Sequence, residues 1–353
     1  MMTSAIRTAA ITIALLAALP MLLTAGNYTA AGMTIDGVEI VRLTDEAHGM
    51  QVSIAIRLGN IAYEVSVKGN NIVNFPSSSV GEWAKKPRMV GIPLLAPWAN
   101  RIDRGHFFAN GRKYILNDEL AGFHRDRNNY PIHGILMLSD KWELVGLSAG
   151  EDSASVTSRL EYWKYPEMMA QFPFAHTIEI THRLKDGVLE VETALLNHAA
   201  ERMPVAIGFH PNFRVYDAPR PEWQIAIGAR KHAMRTDEIL PTGEVKPLAL
   251  PVPYTLDKDV FLDDAFVDLI RDSQGRATFS LLGKQQKVSV HFGPKYPVGL
   301  VYATGRSSSV AIEPMAALTN AFNFEHEGGY SELQWVEPGG EWRESFWIAP
   351  SGF

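Results

Sequence analysis

Residues 174–195 read FAHTIEITHRLKDGVLEVETAL and carry the clearest structural signal in the chain. From Phe174 to Ile180, residues suited to a protein core recur at every second position, with polar residues between them. After the tripeptide Lys185-Asp186-Gly187, the same alternation runs from Leu189 to Leu195. A period of two indicates a strand with one buried face, and Asp-Gly favours a tight turn. The stretch therefore predicts two β-strands joined by a turn.

The same alternation recurs along most of the chain. It is found in residues 50–58, 61–67, 142–147, 155–161, 223–227, 288–292 and 342–348. No long segment after residue 38 holds apolar residues at helical spacing, and many of the 28 glycines and 21 prolines lie between the alternating runs. We therefore predict an all-β fold, a large antiparallel sandwich that forms one domain over residues 33–353.

Two stretches interrupt the strand pattern. Residues 77–125 are irregular and rich in proline, glycine, asparagine and aromatic residues, and residues 317–329 are polar and end in two glycines. Long loops on a rigid sandwich are where binding and catalytic sites usually form. We expect a functional site near these two stretches.

Composition narrows the classes of function. The chain is 46% hydrophobic and 20% charged, as expected of a globular protein with a large core. A net charge of −6 and the lack of a run of lysines or arginines argue against nucleic-acid binding. There is no cysteine, which excludes disulfides, thiolate zinc sites and a cysteine nucleophile.

The N-terminus has the pattern of a secretory signal peptide. Arg7 is the only charge before an apolar run at residues 9–23, and small residues follow that run. We predict a signal peptide over residues 1–26 with cleavage between about 25 and 32, near Ala25 or Ala31. An uncleaved membrane anchor is the alternative, which Pro20 and the small residues disfavour. The prediction is a periplasmic or secreted protein that is not inserted in a membrane after cleavage.

Glu313 is the first candidate for chemistry. Val310 and Ile312 alternate with Ala311, and Pro314 is expected to end this strand because proline supplies no backbone donor. A carboxylate fixed at a strand end suits a general base. The alternative is a solvated acidic residue without function.

Two histidines follow similar logic. His210 ends an apolar run and precedes Pro211, and its ordinary pKa of about 6.5 suits an acid near neutral pH. His133 precedes Gly134, which allows close approach of the backbone. Taken alone, each is weak evidence for a site.

The remaining candidates are an arginine and two aspartates. Arg101 is flanked by apolar residues, so it can be drawn inward and present its rigid fork of donors to sugar hydroxyls or a carboxylate. A surface arginine is the alternative. Asp263 and Asp264 lie in an apolar context where a buried carboxylate could accept bonds from polyol hydroxyls, and an acidic turn is the alternative.

Taken in order, these residues resemble the aldose 1-epimerase (galactose mutarotase) family. Five motifs and a terminal one cover roughly residues 38–348. They are N-R-I-x-x-G-x-F-x-x-N-G-x-x-Y at 100–114, I-H-G at 132–134, G-F-H-P-x-F at 208–213, L-D-D-x-F at 262–266, E-P-M-x-x-x-T-N-A-F-N at 313–323 and P-G-G-E-W at 338–342. Each motif is weak singly, but in this order and spacing they are specific.

The resemblance implies a galactose mutarotase-like β-supersandwich with its site in a concave cleft. It assigns Glu313 as general base and His210 as general acid. It also implies substrate-positioning residues, namely Arg101, His133, Asn100 and one aspartate (Asp263, or alternatively Asp264). The family usually has tyrosine where this chain has Asn212, which we interpret as a change at the rim of the site.

The implied reaction is the interconversion of the α and β anomers of free hexoses of the glucose or galactose type. It proceeds by acid/base ring opening and closure and requires no metal, cofactor or covalent intermediate. We expect a bell-shaped pH profile with a lower limb from Glu313 and an upper limb from His210. Alternatives are a hexose-6-phosphate 1-epimerase and a non-catalytic carbohydrate-binding module. The preferred sugar, the choice between monosaccharide and chain end, and the oligomeric state stay open at this stage.

Overall fold

The computed structural model describes residues 21–120 and 122–353, and strands dominate both ranges. The first strands in chain order are β1 (Leu22–Ala25), β2 (Tyr28–Ile35), β3 (Val38–Asp45), β4 (Met50–Ala55), β5 (Ile61–Val67), β6 (Asn70–Asn71), β7 (Leu94–Leu95), β8 (His106–Ala109), β9 (Arg112–Ile115), β10 (Glu143–Ala149), β11 (Ala154–Glu161), β12 (His176–Lys185) and β13 (Val188–Asn197). They are followed by β14 (Met203–Val205), β15 (Gly208–Phe209), β16 (Asn212–Phe213), β17 (Gln224–Ala226), β18 (Ala229–Arg235), β19 (Pro241–Pro247), β20 (Tyr254–Thr255), β21 (Phe261–Leu269), β22 (Ala277–Leu282), β23 (Lys287–Phe292), β24 (Val298–Thr304), β25 (Val310–Met315), β26 (Gln334–Val336) and β27 (Glu341–Ser351).

The helices are short. They are α1 (Val80–Lys85), α2 (Pro166–Gln171) and α3 (Ala321–His326), with 3₁₀ turns at Asp103–Gly105, Tyr162–Lys164 and Arg220–Glu222. The hydroxyl of Ser79 accepts the Glu82 N–H at 3.3 Å and caps the start of α1. Pro166 begins α2, where its missing N–H costs nothing. Helices α1 and α3 lie within the two stretches that interrupt the strand pattern.

Three large antiparallel sheets form the body of the protein. The first has six strands in the order β1 to β6, and the second has nine in the order β10-β11-β12-β13-β27-β23-β22-β17-β20. The third has the order β19-β18-β21-β24-β25-β15-β7, with β16 also paired to β25. Short pairs β8–β9 and β14–β26 lie outside these sheets. The predicted all-β antiparallel fold is confirmed.

Residues 174–195 form the predicted pair of strands. Strands β12 and β13 pair antiparallel, with Ile178 opposite Leu195 and Ile180 opposite Thr193. These side chains are buried, so the period-two pattern reports the core face of the nine-stranded sheet. Asp186 and Gly187 both have positive φ angles (50° and 69°), as the tight turn requires.

Aromatic residues fill the space between the second and third sheets. The rings of Phe266 on β21 and Phe279 on β22 are 6.2 Å apart, and those of Phe209 on β15 and Phe346 on β27 are 4.8 Å apart. All four side chains are buried. One face of the third sheet therefore packs against the second sheet, and its other face takes no part in this aromatic packing.

Residues 1–20, which hold most of the predicted signal peptide, lie outside the described residues. The predicted cleavage region from 25 to 32 falls on β1 and β2. Tyr28 and Ala30 are buried in the core, and Tyr28 pairs with Asp45 on β3. A cut after Ala31 would remove these core side chains, whereas a cut after Ala25 would remove only β1.

Candidate active site

The third sheet carries Glu313 on the face that points away from the aromatic core. On β25, Ile312 faces the core side and Glu313 the opposite side, because side chains alternate along a strand. Glu313 lies opposite Leu300 of β24, and Leu300 lies opposite Ala265 of β21. Glu313 is only 1% exposed, so it lies at the bottom of this face.

The expected strand end at Glu313 is wrong in one respect, since β25 continues through Pro314 to Met315. The backbone N–H groups of Ile312 and Ala316 donate to the neighbouring segment at 3.2 and 2.8 Å. Pro314 lies between them, so the ladder on this side lacks only the bond that proline cannot make. The strand tolerates this loss because its neighbour is itself interrupted there.

That interruption places His210. Strand β15 ends at Phe209 and β16 begins at Asn212, as expected from Pro211. Gly208 pairs with Met315 and Asn212 with Ala311, so the register puts His210 opposite Glu313. The His210 Nε2 and Glu313 Oε1 atoms are 3.2 Å apart. The structure thus brings the predicted acid and base together, side by side on one face.

Both oxygens of Glu313 lack hydrogen-bond partners among the described residues, because the contact with His210 is close but poorly aligned. A buried carboxylate without donors is costly to keep charged. Glu313 therefore has two acceptor oxygens that no described residue uses.

Asn212 sets the tautomer of His210. Its amide nitrogen donates to the carbonyl oxygen of His210 at 3.0 Å, and this contact requires the NH₂ end of the amide. The same nitrogen lies 3.1 Å from Nδ1 of the His210 ring. Nδ1 is therefore the acceptor, and a neutral ring carries its proton on Nε2, the atom that faces Glu313. Asn212 thus does more than alter the rim, because it contacts the predicted acid directly.

Burial dominates the electrostatics of the pair. It raises the pKa of Glu313 well above its ordinary value, with a further contribution from the charge of Asp263 and an opposing one from Arg101. Burial also lowers the pKa of His210 to about 4. Both shifts favour uncharged forms. The lower limb of a pH profile then belongs to His210 and the upper limb to Glu313, which reverses the assignment made from sequence.

Arg101 is drawn inward, as its apolar neighbours predicted, and is 9% exposed. Its Nε donates to Asp126 Oδ2 at 2.7 Å, and its Nη2 lies 3.6 Å from Asp263 Oδ2. The alternative of a surface arginine is excluded by this burial. Burial acts to raise the pKa of Asp126, but bonds from Arg101 and from the Tyr130 and Asn128 N–H groups outweigh it and lower the pKa.

The structure separates the two aspartates. Asp263 shares the face of Glu313 and contacts Arg101, and burial raises its pKa. Asp264 points to the other face, where its Oδ1 accepts from Arg235 Nε at 2.9 Å and contacts His232 Nε2 at 3.1 Å. Burial opposes the charge on Asp264, but these partners outweigh burial and lower its pKa. Asp263 is therefore the aspartate available to a ligand, as the D-x-x-F pattern favoured.

His133 lies beside His210, with the two ring centroids 5.4 Å apart and the rings nearly perpendicular. Burial and then the neighbouring His210 lower the pKa of His133 well below its ordinary value. A Cβ on Gly134 would lie 2.0 Å from the Ala96 carbonyl oxygen, which confirms the predicted close approach. Asn100 contributes its carbonyl oxygen, which accepts the His133 N–H at 2.9 Å.

Sequence reasoning missed the residues that hold the Arg101 loop. Asn320 donates its N–H to the Arg101 carbonyl oxygen and accepts the Asp103 N–H, both at 3.0 Å. Asn323 donates to the carbonyl oxygens of Asp103 and His106 at 3.3 and 2.9 Å. The T-N-A-F-N motif thus fastens one irregular stretch to the other. The repeated asparagines were the available signal. Asp126 had none, because it lies in a polar stretch.

Neither a cluster of metal-binding side chains nor a membrane-spanning helix is present in the part of the chain that the structure describes. No group of three or more histidine, aspartate or glutamate side chains there is arranged to hold a metal ion. No helix in residues 21–120 or 122–353 combines the length and apolar character needed to cross a membrane.

Comparison with solved structures agrees with the fold described above. A galactose mutarotase-like protein from Clostridium acetobutylicum superposes with a TM-score of 0.81 at 20% identity, covering 93% of this chain and 99% of that one. Galactose 1-epimerase from Lactobacillus acidophilus superposes with a TM-score of 0.69 at 13% identity, covering 90% and 96%. These similarities show a galactose mutarotase-like fold.

Sequence comparison extends the result to the family. The uncharacterized protein YihR of Escherichia coli (strain K12) is 25% identical over 242 residues, 65% of this chain and 71% of that protein. The profile of the family described as aldose 1-epimerase matches residues 39–349, nearly the whole described chain. The chain belongs to the aldose 1-epimerase family.

Proposed function

We propose that this protein is an aldose 1-epimerase that interconverts the α and β anomers of free hexoses of the glucose or galactose type. The substrate is a sugar whose anomeric hydroxyl and ring oxygen are both bonded to C1. An acid and a base that act on these two oxygens must therefore lie close to each other. The 3.2 Å contact between His210 and Glu313 meets this requirement.

The pair of Glu313 and His210 holds one proton, and in this mechanism that proton passes to His210, which leaves Glu313 as a carboxylate. Glu313 then removes the proton of the C1 hydroxyl while the imidazolium of His210 donates its Nε2 proton to the ring oxygen. The bond between C1 and the ring oxygen breaks and an open-chain aldehyde forms. Rotation about the C1–C2 bond presents the other face of the carbonyl. Closure then returns the proton from Glu313 to the carbonyl oxygen and the proton of the C5 hydroxyl to His210, so acid and base are restored.

The observation that carries the proposal is the unpartnered carboxylate of Glu313 beside a histidine whose tautomer is fixed. A structural carboxylate at 1% exposure would normally be saturated with donors. Arg101 and Asp263 add one donor and one acceptor group at the same face for the remaining hydroxyls. Their arrangement supports binding of a neutral polyol.

Polarimetry of freshly dissolved α-glucose and α-galactose tests the proposal. Wild-type protein should accelerate the approach to anomeric equilibrium, and Glu313→Gln at equal concentration should not. A wild-type protein that binds these sugars but leaves the spontaneous rate unchanged would favour the alternative of a carbohydrate-binding module.

Arg127 supports a second candidate, a hexose-6-phosphate 1-epimerase. Burial raises the pKa of Asp263, and the charge of this exposed arginine is close enough to oppose that rise. No carboxylate of the described residues forms an ion pair with Arg127. A cation at the site is what a phosphate would need. If Arg127→Gln reduced the rate with glucose 6-phosphate but not with glucose, the phosphorylated sugar would become the preferred substrate.

We also propose that the protein is exported and cleaved near Ala25. The charge and apolar pattern of residues 7–23 supports export. Cleavage near Ala25 keeps the buried side chains of Tyr28 and Ala30, which a cut at Ala31 would remove. N-terminal sequencing of periplasmic or secreted protein should begin near residue 26, and a start at Met1 would contradict export.

A further inference from the structure

The face that carries Glu313 continues from β25 across four further strands as one row of paired residues. Glu313 lies opposite Leu300, Leu300 opposite Ala265, and Ala265 opposite Ala233 of β18. Ala233 in turn lies opposite Val245 of β19, the edge strand of the sheet. Strands are spaced by about 4.8 Å, so the row extends about 19 Å from the carboxylate. The small side chains of Ala265 and Ala233 leave a depression in the middle of the row.

A narrow pocket of about 20 Å³ covers the middle of this row, from Leu300 to Ala233. It is lined by Asp263, Ala265, Leu300 and Ala233, and thus begins at a residue of the candidate active site. A larger cavity of about 500 Å³ covers the outer part of the row, including Ala233 and Val245. The two share Ala233, Met234, Pro241 and Leu318 as lining residues. We call the combined depression the outer groove.

The outer groove combines an aromatic wall with carboxylates. The rings of Phe324 and Tyr330 lie parallel, at 7° and 6.5 Å. Gly329 lies against this wall, because a Cβ there would be 2.1 Å from the Phe324 ring. Carboxylates of Glu244, Asp268 and Glu332 also line the cavity. An apolar ring face for C–H groups and carboxylate acceptors for hydroxyls together suit a pyranose.

We propose that the outer groove binds the second sugar unit of a reducing disaccharide or oligosaccharide whose reducing-end ring lies at Glu313 and His210. This inference rests on the proposed function and names its substrate class, a chain end in preference to a monosaccharide. The groove is continuous with the site through Asp263 and Ala265. Its charged groups are mixed in sign, with Lys231 paired to Asp268 at 3.3 Å, which suits a neutral ligand better than an anion.

The first test compares sugars on the wild-type protein. Anomer exchange is followed for freshly dissolved glucose, galactose, maltose, lactose and melibiose, with the spontaneous rate subtracted. Hydrogen bonds and stacking at a second unit should raise kcat/KM for at least one disaccharide about tenfold over its reducing-end monosaccharide. Equal or lower values for all three disaccharides would overturn the inference and leave the monosaccharide activity standing.

The second test uses a matched pair of variants. Val245 at the outer groove is 46% exposed on the edge strand β19, and Val145 is 43% exposed on β10, the edge strand of the nine-stranded sheet. Val245→Trp fills the groove without disturbing the core, and Val145→Trp adds the same bulk elsewhere. Val245→Trp should abolish the tenfold preference for the disaccharide and leave the monosaccharide rate unchanged, whereas Val145→Trp should alter neither.

The results distinguish a failure of the outer-groove inference from a failure of the proposed function. If both tryptophan variants keep the wild-type preference, the groove does not hold the second unit and the inference fails. If wild-type protein exchanges no sugar at all, the proposed function fails instead. Calorimetric binding of maltose then decides the groove: an affinity lost in Val245→Trp but kept in Val145→Trp supports it, and an equal affinity in both overturns it.

Discussion

The third sheet holds two carboxylate–histidine contacts of almost equal length on opposite faces. Glu313 and His210 are 3.2 Å apart, and Asp264 and His232 are 3.1 Å apart. The first carboxylate has no hydrogen-bond donor among the residues described, and burial raises its pKa. The second is saturated by His232 and by Arg235, and its pKa is lowered.

The comparison teaches that distance alone does not identify a reactive pair. Asp264 is held charged by its partners and has a structural role, because it also accepts the Asp263 N–H at 3.2 Å and so helps to orient its neighbour. Glu313 is held by its strand only, with its oxygens left for a ligand. Saturation, rather than proximity, separates the structural contact from the candidate catalytic one.

The largest expected effect is on activity at Glu313. Glu313→Gln keeps the shape but removes the base, and His210→Asn removes the acid, so each should reduce kcat by about 10²–10⁴-fold. Asp264→Asn should change kcat by no more than about threefold. Progress curves of anomer exchange by polarimetry give all three values, and comparable losses for Asp264→Asn and Glu313→Gln would break the distinction between the two contacts.

Combining the two changes sharpens the same comparison. Because one proton transfer is of little use without the other, the double variant of Glu313 and His210 should lose far less than the product of the single losses. Losses that multiply would mean that the two groups act independently.

Much of this contrast could be predicted from sequence. The resemblance to the aldose 1-epimerase family, carried by five ordered motifs, implied the pairing of Glu313 with His210, and its D-x-x-F pattern favoured Asp263. The strand pattern likewise predicted the sandwich, since period two is a local property of the chain. Structural features set by residues within a few positions of a motif could be predicted in this way.

Structural features that depend on packing between distant segments could not be predicted from the sequence. The saturation of Asp264 needs Arg235 and His232, about 30 residues away in the chain, which the pairing of β18 with β21 brings close. The exchange of pKa directions between Glu313 and His210 needs burial, which no motif states. The interruption at His210 was expected from Pro211, but the continuation of β25 through Pro314 was not, because it depends on that interruption in the neighbouring segment.

The pH profile is the next largest effect. With the pKa of His210 near 4 and that of Glu313 raised, the pair holds one proton between these two values. Adding a second proton at His210 or losing the last one from Glu313 stops the reaction, and the limbs describe the pair as a unit. The profile of kcat/KM should therefore stay level from about pH 5 up to the raised pKa of Glu313, and an acidic limb near pH 6.5 would contradict this order.

The two substitutions should affect the free energy of unfolding in the opposite order to their effects on kcat. Asp264→Asn leaves Arg235 and His232 without their acceptor, and should lower the free energy of unfolding by about 1–3 kcal/mol. Glu313→Gln removes a buried carboxylate that has no donors and should leave that free energy unchanged or higher. Urea unfolding followed by tryptophan fluorescence measures both, and a larger loss for Glu313→Gln would contradict the difference in saturation.

The smallest expected effect comes from Asn212, the only described residue that contacts Nδ1 of His210 in the candidate catalytic contact. Asn212→Ala removes a hydrogen bond worth about 0.5–1.5 kcal/mol, so kcat should fall by about two- to tenfold. Asn212→Asp instead places an acceptor beside Nδ1 and stabilises the imidazolium, which raises the pKa of His210. Its acidic limb should move to higher pH by more than that of Asn212→Ala, which only loses a bond to the neutral ring. A merely structural role for Asn212 would lower stability in both variants without moving either limb, so the direction of the shift in Asn212→Asp decides whether this residue acts through His210.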